Sequence, residues 1–233
     1  MKYKDDINTN DKKGNWYKSY THDFWDSRKF HFFSLYYQSR LAIVDPNIRS
    51  MLEFGTGRNT TKALVEHFGI KHKSVDFDNK AFYPDEVSTL LDYKDSEKYD
   101  VVSAFQMLEH NPLETLEENL LKMKSLSNKY VYVSLPFSGR WLSININTSF
   151  LPRIGFSKSF LITWNRLIRK SRDIEAFKKR DDLHNPHWWE IGDGNFSKKD
   201  FIKLANSNGL NVAKIFHNEF FPYHVFFLLE IND

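Results

Sequence analysis

The sequence predicts an α/β fold in three layers, with helices on both faces of a seven-stranded, mostly parallel sheet that closes with an antiparallel C-terminal hairpin strand and carries a helical insert. Three observations predict it. Short apolar runs alternate with segments of helical periodicity between residues 50 and 137, the pattern of parallel strands joined by crossover helices. A glycine-containing bend joins the first run to the first helix of that series. Two final runs are close enough in sequence to pair antiparallel around Pro222.

Taken in order, residues 1–14 are polar and charged and read as a flexible tail, leaving 15–233 as a single domain. Residues 15–45 are dense in aromatics (Trp16, Tyr17, Tyr20, Phe24, Trp25, Phe30 and others) and suit one or two helices that end before Pro46. Within a 15–47 helical segment they either pack on the core or form a lid over a ligand. Strand one is read at 50–54, a helix at 60–68 with Ala63, Leu64 and Phe68 on one side, strand two at 72–77 and strand three at 87–91. Strand four is 99–105. An amphipathic helix at 113–125 has Leu116, Leu120 and Met123 at helical spacing, and strand five is 130–135, stopped by Pro136. Residues 138–186 interrupt the alternation as an insert, in which 157–172 place Phe160, Leu161, Trp164, Leu167 and Ile168 on one helical face. A last helix at 198–208 is N-capped by Ser197 and closed by Gly209, before strands at 211–217 and 224–230.

The 233 residues, 41% hydrophobic, suffice for one domain with a full core and require no second one. No apolar run is long enough to span a membrane, and Met1 to Lys13 lack the apolar core of a secretion signal. With zero cysteines, this fits a cytoplasmic protein and excludes both a cysteine nucleophile and a thiolate metal site. The net charge of +3 is unevenly spread: residues 138–186 hold ten Lys/Arg against four acids, so the insert is +6 and the remainder −3. Such an insert suits an anionic acceptor, a nucleic-acid backbone or an anionic membrane surface.

The chemistry sits in Met51-Leu52-Glu53-Phe54-Gly55-Thr56-Gly57-Arg58-Asn59-Thr60-Thr61, a strand, a glycine bend and a helix start. Glycines at 55 and 57 let the main chain approach a ligand, and the helix N-terminus offers it unpaired N–H groups. An acid closing the second strand, Asp76, can accept both hydroxyls of a ribose. A dinucleotide fingerprint would want a third glycine where Thr60 stands. With Val75-Asp76-Phe77-Asp78 and Tyr99-Asp100-Val101-Val102-Ser103-Ala104-Phe105-Gln106-Met107-Leu108-Glu109-His110, the set resembles the class I S-adenosylmethionine-dependent methyltransferases, closely over 48–137 and loosely over 187–230.

That resemblance implies a Rossmann-like fold, S-adenosylmethionine as cofactor and S-adenosylhomocysteine as product. It implies that Gly55, Thr56 and Gly57 line the methionine part of the cofactor and that Glu53 organises their loop. Asp76, with Phe77 beside it, would hold the ribose, Asp92 would lie near the adenine, and Gln106 and Met107 would border the transferred methyl. Asn59 stands where a third glycine is common, and asparagine tolerates a left-handed conformation.

His110, after strand four, His184 and His187 are the candidate catalytic bases, with His110 and His187 preferred; the plain alternative for His110 is a helix cap or a core hydrogen bond. Some similar families bind a divalent metal through Glu-x-x-Glu-His and a later histidine. Here Gln106 replaces the first glutamate and a neutral amide is a poorer ligand, which leaves Glu109, His110 and either His184 or His187 as the ligands of a less favoured divalent-metal alternative, and no metal is assigned. His187-Trp188-Trp189-Glu190-Ile191-Gly192 is similar to a stretch in methyltransferases of bacterial surface-polysaccharide loci; it lines an acceptor pocket or is a packed aromatic turn. The leading expectation is transfer to an oxygen, ahead of a nitrogen, of a small-molecule or glycan acceptor. Nucleic acid is the weaker partner: no Asn-Pro-Pro-Tyr motif follows strand four, and carbon-5 pyrimidine methylation needs a cysteine. The alternatives are an RNA methyltransferase using the basic insert, and a non-catalytic scaffold docking on a membrane or partner through 157–172.

Overall fold

The computed structural model describes residues 29–57, 59–78, 83–151, 154–164, 187–193 and 196–232. The expected tail 1–14, the aromatics of 15–28, most of the basic residues of the insert and His184 lie outside these described residues.

Helix α1 (Lys29–Val44) leads into β1 (Ser50–Phe54), α2 (Thr60–His67), β2 (Lys71–Asp76), β3 (Glu86–Val87) and β4 (Tyr99–Phe105). Two single 3₁₀ turns (Leu108–His110 and Leu113–Thr115) precede α3 (Leu116–Leu126) and β5 (Ser127–Pro136). The chain then runs through β6 (Arg140–Leu151), β7 (Ile154–Trp164), α4 (Lys198–Ser207), β8 (Leu210–Asn218) and β9 (Phe221–Ile231). Seven strands form one sheet in the order β3-β2-β1-β4-β5-β9-β8. The pairings from β3 to β5 are parallel, and β9 is antiparallel to both β5 and β8. This is the expected architecture.

The alternation of side chains along each strand explains why both faces are covered. Leu52, Val102, Ala104, Val131, Val133 and Phe227 enter one core, while Met51, Val101, Phe105, Tyr132 and Phe226 enter the other. A parallel sheet buried on both sides needs apolar residues at odd and even positions alike. On the first face α3 contributes Leu116, Leu120 and Met123, all at most 1% exposed and at the helical spacing read from the sequence, and α4 contributes Phe201 and Ala205. On the second, α1 supplies Ala42, with Tyr37 and Leu41 packed beside it, and α2 supplies Val65. The described part of the N-terminal aromatic segment packs one face on this core and leaves Phe32, Phe33 and Tyr36 exposed. The Tyr132 hydroxyl donates to the Tyr37 carbonyl at 2.6 Å, and the rings of Tyr37 and Phe226 lie 5.7 Å apart.

Three sequence expectations need correction. Helix α2 turns Thr61 and Val65 inward, one helical turn apart, and leaves Ala63 and Phe68 exposed, so its inward face was misread. Strand β3 is only two residues long, because Thr89 and Asp92 fold the following chain into a turn: the Thr89 hydroxyl donates to Asp92 Oδ2 at 2.6 Å and the Tyr93 N–H returns to the Thr89 carbonyl. The insert is not helical where it is described, since β6 and β7 form a two-stranded antiparallel sheet of their own. Leu142, Ile144 and Ile146 alternate with Ser143, Asn145 and Asn147, and β7 alternates likewise. That period of two in β-branched and aromatic residues outweighed the helical spacing seen from Phe160 onward. The Ser143 hydroxyl donates to the Glu219 carbonyl and that of Ser159 to the Glu219 carboxylate, each at 2.7 Å, anchoring the hairpin on the β8–β9 turn.

Helix α4 opens with a capping box in which Ser197 and Asp200 satisfy each other's backbone N–H groups. Ser197→Ala is expected to cost about 1 kcal/mol in urea unfolding. Next to it, His217 accepts from Lys198 Nζ at 2.9 Å through Nε2 and donates from Nδ1 to the Pro222 carbonyl at 2.6 Å. Burial, assisted by the Lys198 charge, lowers its pKa to about 4. The unfolded chain therefore binds a proton between about pH 6.5 and 4 that the fold refuses, and stability should fall as pH drops through that window. The loss should approach roughly 3 kcal/mol, read as urea-unfolding free energy at successive pH values, and His217→Gln should flatten the slope.

Candidate active site

Strand order reverses on either side of β1, with β2 on one flank and β4 on the other, which opens a crevice at the carboxyl ends of β1 and β4. The glycine bend lies there. Gly55 (φ 71°) and Gly57 (φ 52°) both take left-handed conformations, and the Gly55 N–H is held by the Val75 carbonyl at 2.9 Å. A Cβ on Gly55 would stand 2.5 Å from Met107 Cγ, whereas one on Gly57 would meet no atom within 4 Å. The bend is thus closed on the Met107 side and open at Gly57. Thr56 is buried, and its hydroxyl has no hydrogen-bond partner. Asn59 adopts the left-handed φ of 55° that its residue type allows and precedes α2, but its side chain bonds the Tyr83 carbonyl instead of capping the helix.

Asp76, at the tip of β2, reaches this bend. Its Oδ2 accepts from the Gly57 N–H at 3.4 Å and its Oδ1 from the Asp78 N–H at 3.1 Å. Burial pushes its carboxyl above the usual range, opposed by those N–H groups. Phe77 beside it is 68% exposed. Glu53 is buried one strand away, but its carboxylate meets His72 Nε2 at 3.1 Å, a contact to β2 and not to the loop. Asp92 is exposed, and it bonds with Thr89 within its own turn.

Gln106 and Met107 form the opposite wall, where β4 ends. Gln106 has a φ of 52°, unusual for a residue with a side chain, and is fastened to β5 twice: its N–H to the Ser134 carbonyl at 2.9 Å and its amide to the Ser134 hydroxyl at 3.3 Å. The next residues build a second constellation. Glu109, fully buried, has His110 Nε2 at 4.0 Å and His187 Nε2 at 3.9 Å from its Oε1. The two imidazoles pack edge to face with ring centres 4.8 Å apart. Burial pushes the Glu109 carboxyl up to about 8. His187 Nδ1 lies 3.0 Å from Glu190 Oε1, which also accepts the Tyr223 hydroxyl at 2.9 Å. The segment 187–191 is docked by main chain: the Trp188 N–H donates to the Glu109 carbonyl at 2.8 Å and the Ile191 N–H to that of Pro136 at 2.9 Å.

Of the residues read from the sequence, Gly55, Thr56, Gly57 and Asp76 converge on one side of the crevice, and Gln106 and Met107 on the other. His110 and His187, far apart in the chain, come together around Glu109. Three participants were not singled out. His72 shares the face of Glu53, since Glu53 registers with Ser74 and period two carries His72 and Asp76 to that side. Glu190 was visible only as part of a motif. Tyr223, next to Pro222, gave no local signal.

No protein-family model matches the chain, and no curated protein matches it. Its fold is similar to solved structures of methyltransferases. With magnesium protoporphyrin IX methyltransferase from Synechocystis PCC 6803, solved with S-adenosylhomocysteine (SAH) bound, the TM-score is 0.61 at 14% identity, over 97% of this chain and 98% of that one. The 1,6-didemethyltoxoflavin-N1-methyltransferase of Burkholderia thailandensis gives 0.54 at 11% identity, over 94% and 86%. A sugar N-methyltransferase from Streptoalloteichus sp ATCC 53650 gives 0.53 at 10%, over 96% and 94%. The chain therefore has the class I methyltransferase fold.

Proposed function

We propose that this chain is an S-adenosylmethionine-dependent methyltransferase acting on an oxygen, in preference to a nitrogen, of a small-molecule or glycan acceptor. The observation that carries the reading is the meeting of the Asp76 carboxylate with the Gly57 N–H at a bend where a Cβ on Gly57 would meet no atom of the other described residues within 4 Å. A buried acid and a bare main chain at one crevice suit a ligand with ribose hydroxyls at one end and an amino-acid tail at the other. Gly55 to Gly57 would take the methionine part, Asp76 the ribose, and Gln106 and Met107 would flank the reacting centre. Phe77, exposed beside Asp76, offers a ring to the adenine. Asp92, held in its own turn, is the weakest member of the set.

The cofactor supplies an electrophilic methyl group on sulfonium. The chain's part is to hold an acceptor in line with it. His110 and His187 are the groups placed to meet an acceptor hydroxyl, and both are partly exposed, at 20% and 27%. The docking of 187–191 against the Glu109 turn supports the reading of this stretch as acceptor wall. Among similar folds is an enzyme named for a sugar acceptor, which supports including glycans. The RNA alternative keeps its basis in the basic insert, and a membrane- or partner-docking scaffold would have to work without a helix at 157–164. No described helix is long and apolar enough to cross a membrane.

The test has two stages. Titration calorimetry with SAH should show one site per chain. A screen with tritiated methyl donor across nucleotide sugars, glycans and RNA should then label a glycan or small molecule. Labelling of RNA alone, in a salt-dependent manner, would replace the acceptor assignment, and absence of SAH binding would remove the cofactor assignment.

A further inference from the structure

We propose that Glu109, His110 and His187 form a binding site for one divalent transition-metal ion. The three ligand atoms lie within 4.8 Å of one another. Two bonds of about 2.1 Å at a tetrahedral centre hold ligand atoms roughly 3.4 Å apart, so the observed separations of 3.9 and 4.0 Å close around an ion with side-chain shifts of about half an ångström.

Two further observations point to a cation. Glu109 is fully buried, and among the described residues no other residue donates a hydrogen bond to either carboxylate oxygen. A carboxylate without donors is expensive to bury, and a bound cation is a direct remedy. The second is the treatment of His187. Its Nδ1 is engaged by the Glu190 carboxylate, itself held by the Tyr223 hydroxyl. An imidazole that donates from Nδ1 to a carboxylate presents its Nε2 lone pair elsewhere, and here Nε2 faces Glu109. This carboxylate–imidazole arrangement is the outer support that metal-binding histidines generally have.

The donor set selects the ion class. Two imidazole nitrogens and one carboxylate oxygen suit the series from manganese to zinc, whereas magnesium and calcium prefer oxygen throughout. The sequence argued against a metal because Gln106 stands where similar motifs have glutamate. In the fold, the Gln106 amide is turned to Ser134, so its identity does not bear on these three ligands. Three protein ligands leave at least one position open, and with an ion bound both His187 nitrogens are occupied, so the ion's open position takes over from His187 the role of meeting an acceptor hydroxyl. Because Gln106 and Met107 directly precede the cluster, that position falls on the acceptor side of the crevice. This last clause rests on the methyltransferase reading; ion binding itself does not.

The experiment uses the full chain, stripped with a chelator and titrated with cobalt(II) followed by visible absorption and with zinc(II) by calorimetry. The expected result is one equivalent of either ion per chain. Glu109→Gln and His187→Ala should each weaken binding by at least about 100-fold, more than the about 10- to 100-fold expected for Glu190→Gln. Circular dichroism and SAH titration of each variant establish that it folds, and His110→Asn replaces any that does not. No cobalt spectrum and no zinc heat with the wild-type chain would overturn the site, as would undiminished affinity in folded Glu109→Gln and His187→Ala. SAH binding by the stripped protein, measured alongside, separates failure of the metal site from failure of the cofactor crevice.

Discussion

Asp76→Ala is expected to weaken SAH binding by at least about 100-fold while leaving the fold intact. In the free protein the Asp76 carboxylate already accepts two backbone N–H groups at the bend and beyond it. Under the proposed function its remaining acceptor capacity would receive the two hydroxyl donors of a ribose. Hydrogen bonds to a charged acceptor contribute about 1.5–3 kcal/mol each, so losing two costs at least ~3 kcal/mol, more than two powers of ten in affinity. Alanine leaves a space that water can fill, and the donors Gly57 and Asp78 are only half-buried, so the stability cost should stay near ~1 kcal/mol. Asp76→Asn, which keeps shape and one acceptor, should fall between wild type and alanine. Titration calorimetry checks the affinities and urea unfolding the stability. Unchanged SAH affinity in Asp76→Ala would remove Asp76 from the site.

Gly55→Ala and Gly57→Ala should fail in opposite ways. At Gly55 the added methyl would collide with Met107 Cγ at 2.5 Å and Cβ at 2.8 Å, and the left-handed φ of 71° adds conformational strain. Displacing Met107 disturbs both walls of the crevice. A destabilisation of about 2–4 kcal/mol is expected, with cofactor binding lost alongside. At Gly57 the new Cβ meets no protein atom, so the cost to stability is the backbone term alone, about 1–2 kcal/mol. That methyl points into the space assigned to the cofactor, so affinity should fall far more than stability does. Thermal unfolding and SAH titration on the two variants separate the effects. Equal binding losses per unit of destabilisation would mean that the crevice at Gly57 holds nothing.

Much of this was legible in the chain because the signals were local. The bend at 55–57 announces itself through glycines between a strand and a helix, and its αL geometry follows from residue type. Ser197 was readable as a cap; Asp200, three residues on, completes the box. Strands β4, β8 and β9 were read from apolar runs that both cores require. The misreadings occurred where two periods compete. Phe160, Leu161 and Trp164 satisfy a helical spacing, yet Phe160, Ile162 and Trp164 also alternate, and pairing with β6 decided between them. The Glu53–His72 contact and the support of His187 by Glu190 and Tyr223 were not legible, because they depend on register and on residues brought together from distant parts of the chain. The metal motif had grouped Glu109 and His110 with His184 or His187, and the fold brings His187 beside the other two.

The main-chain bond from Trp188 to Glu109 has a consequence for biosynthesis. The bend, Asp76 and Gln106 are all translated before His187, Glu190 and Tyr223. Since nascent chains acquire structure from the N-terminal side, the two walls of the cleft mature at different times. A polypeptide stalled between them would present to water, and to quality-control machinery, an acid that the finished molecule hides completely.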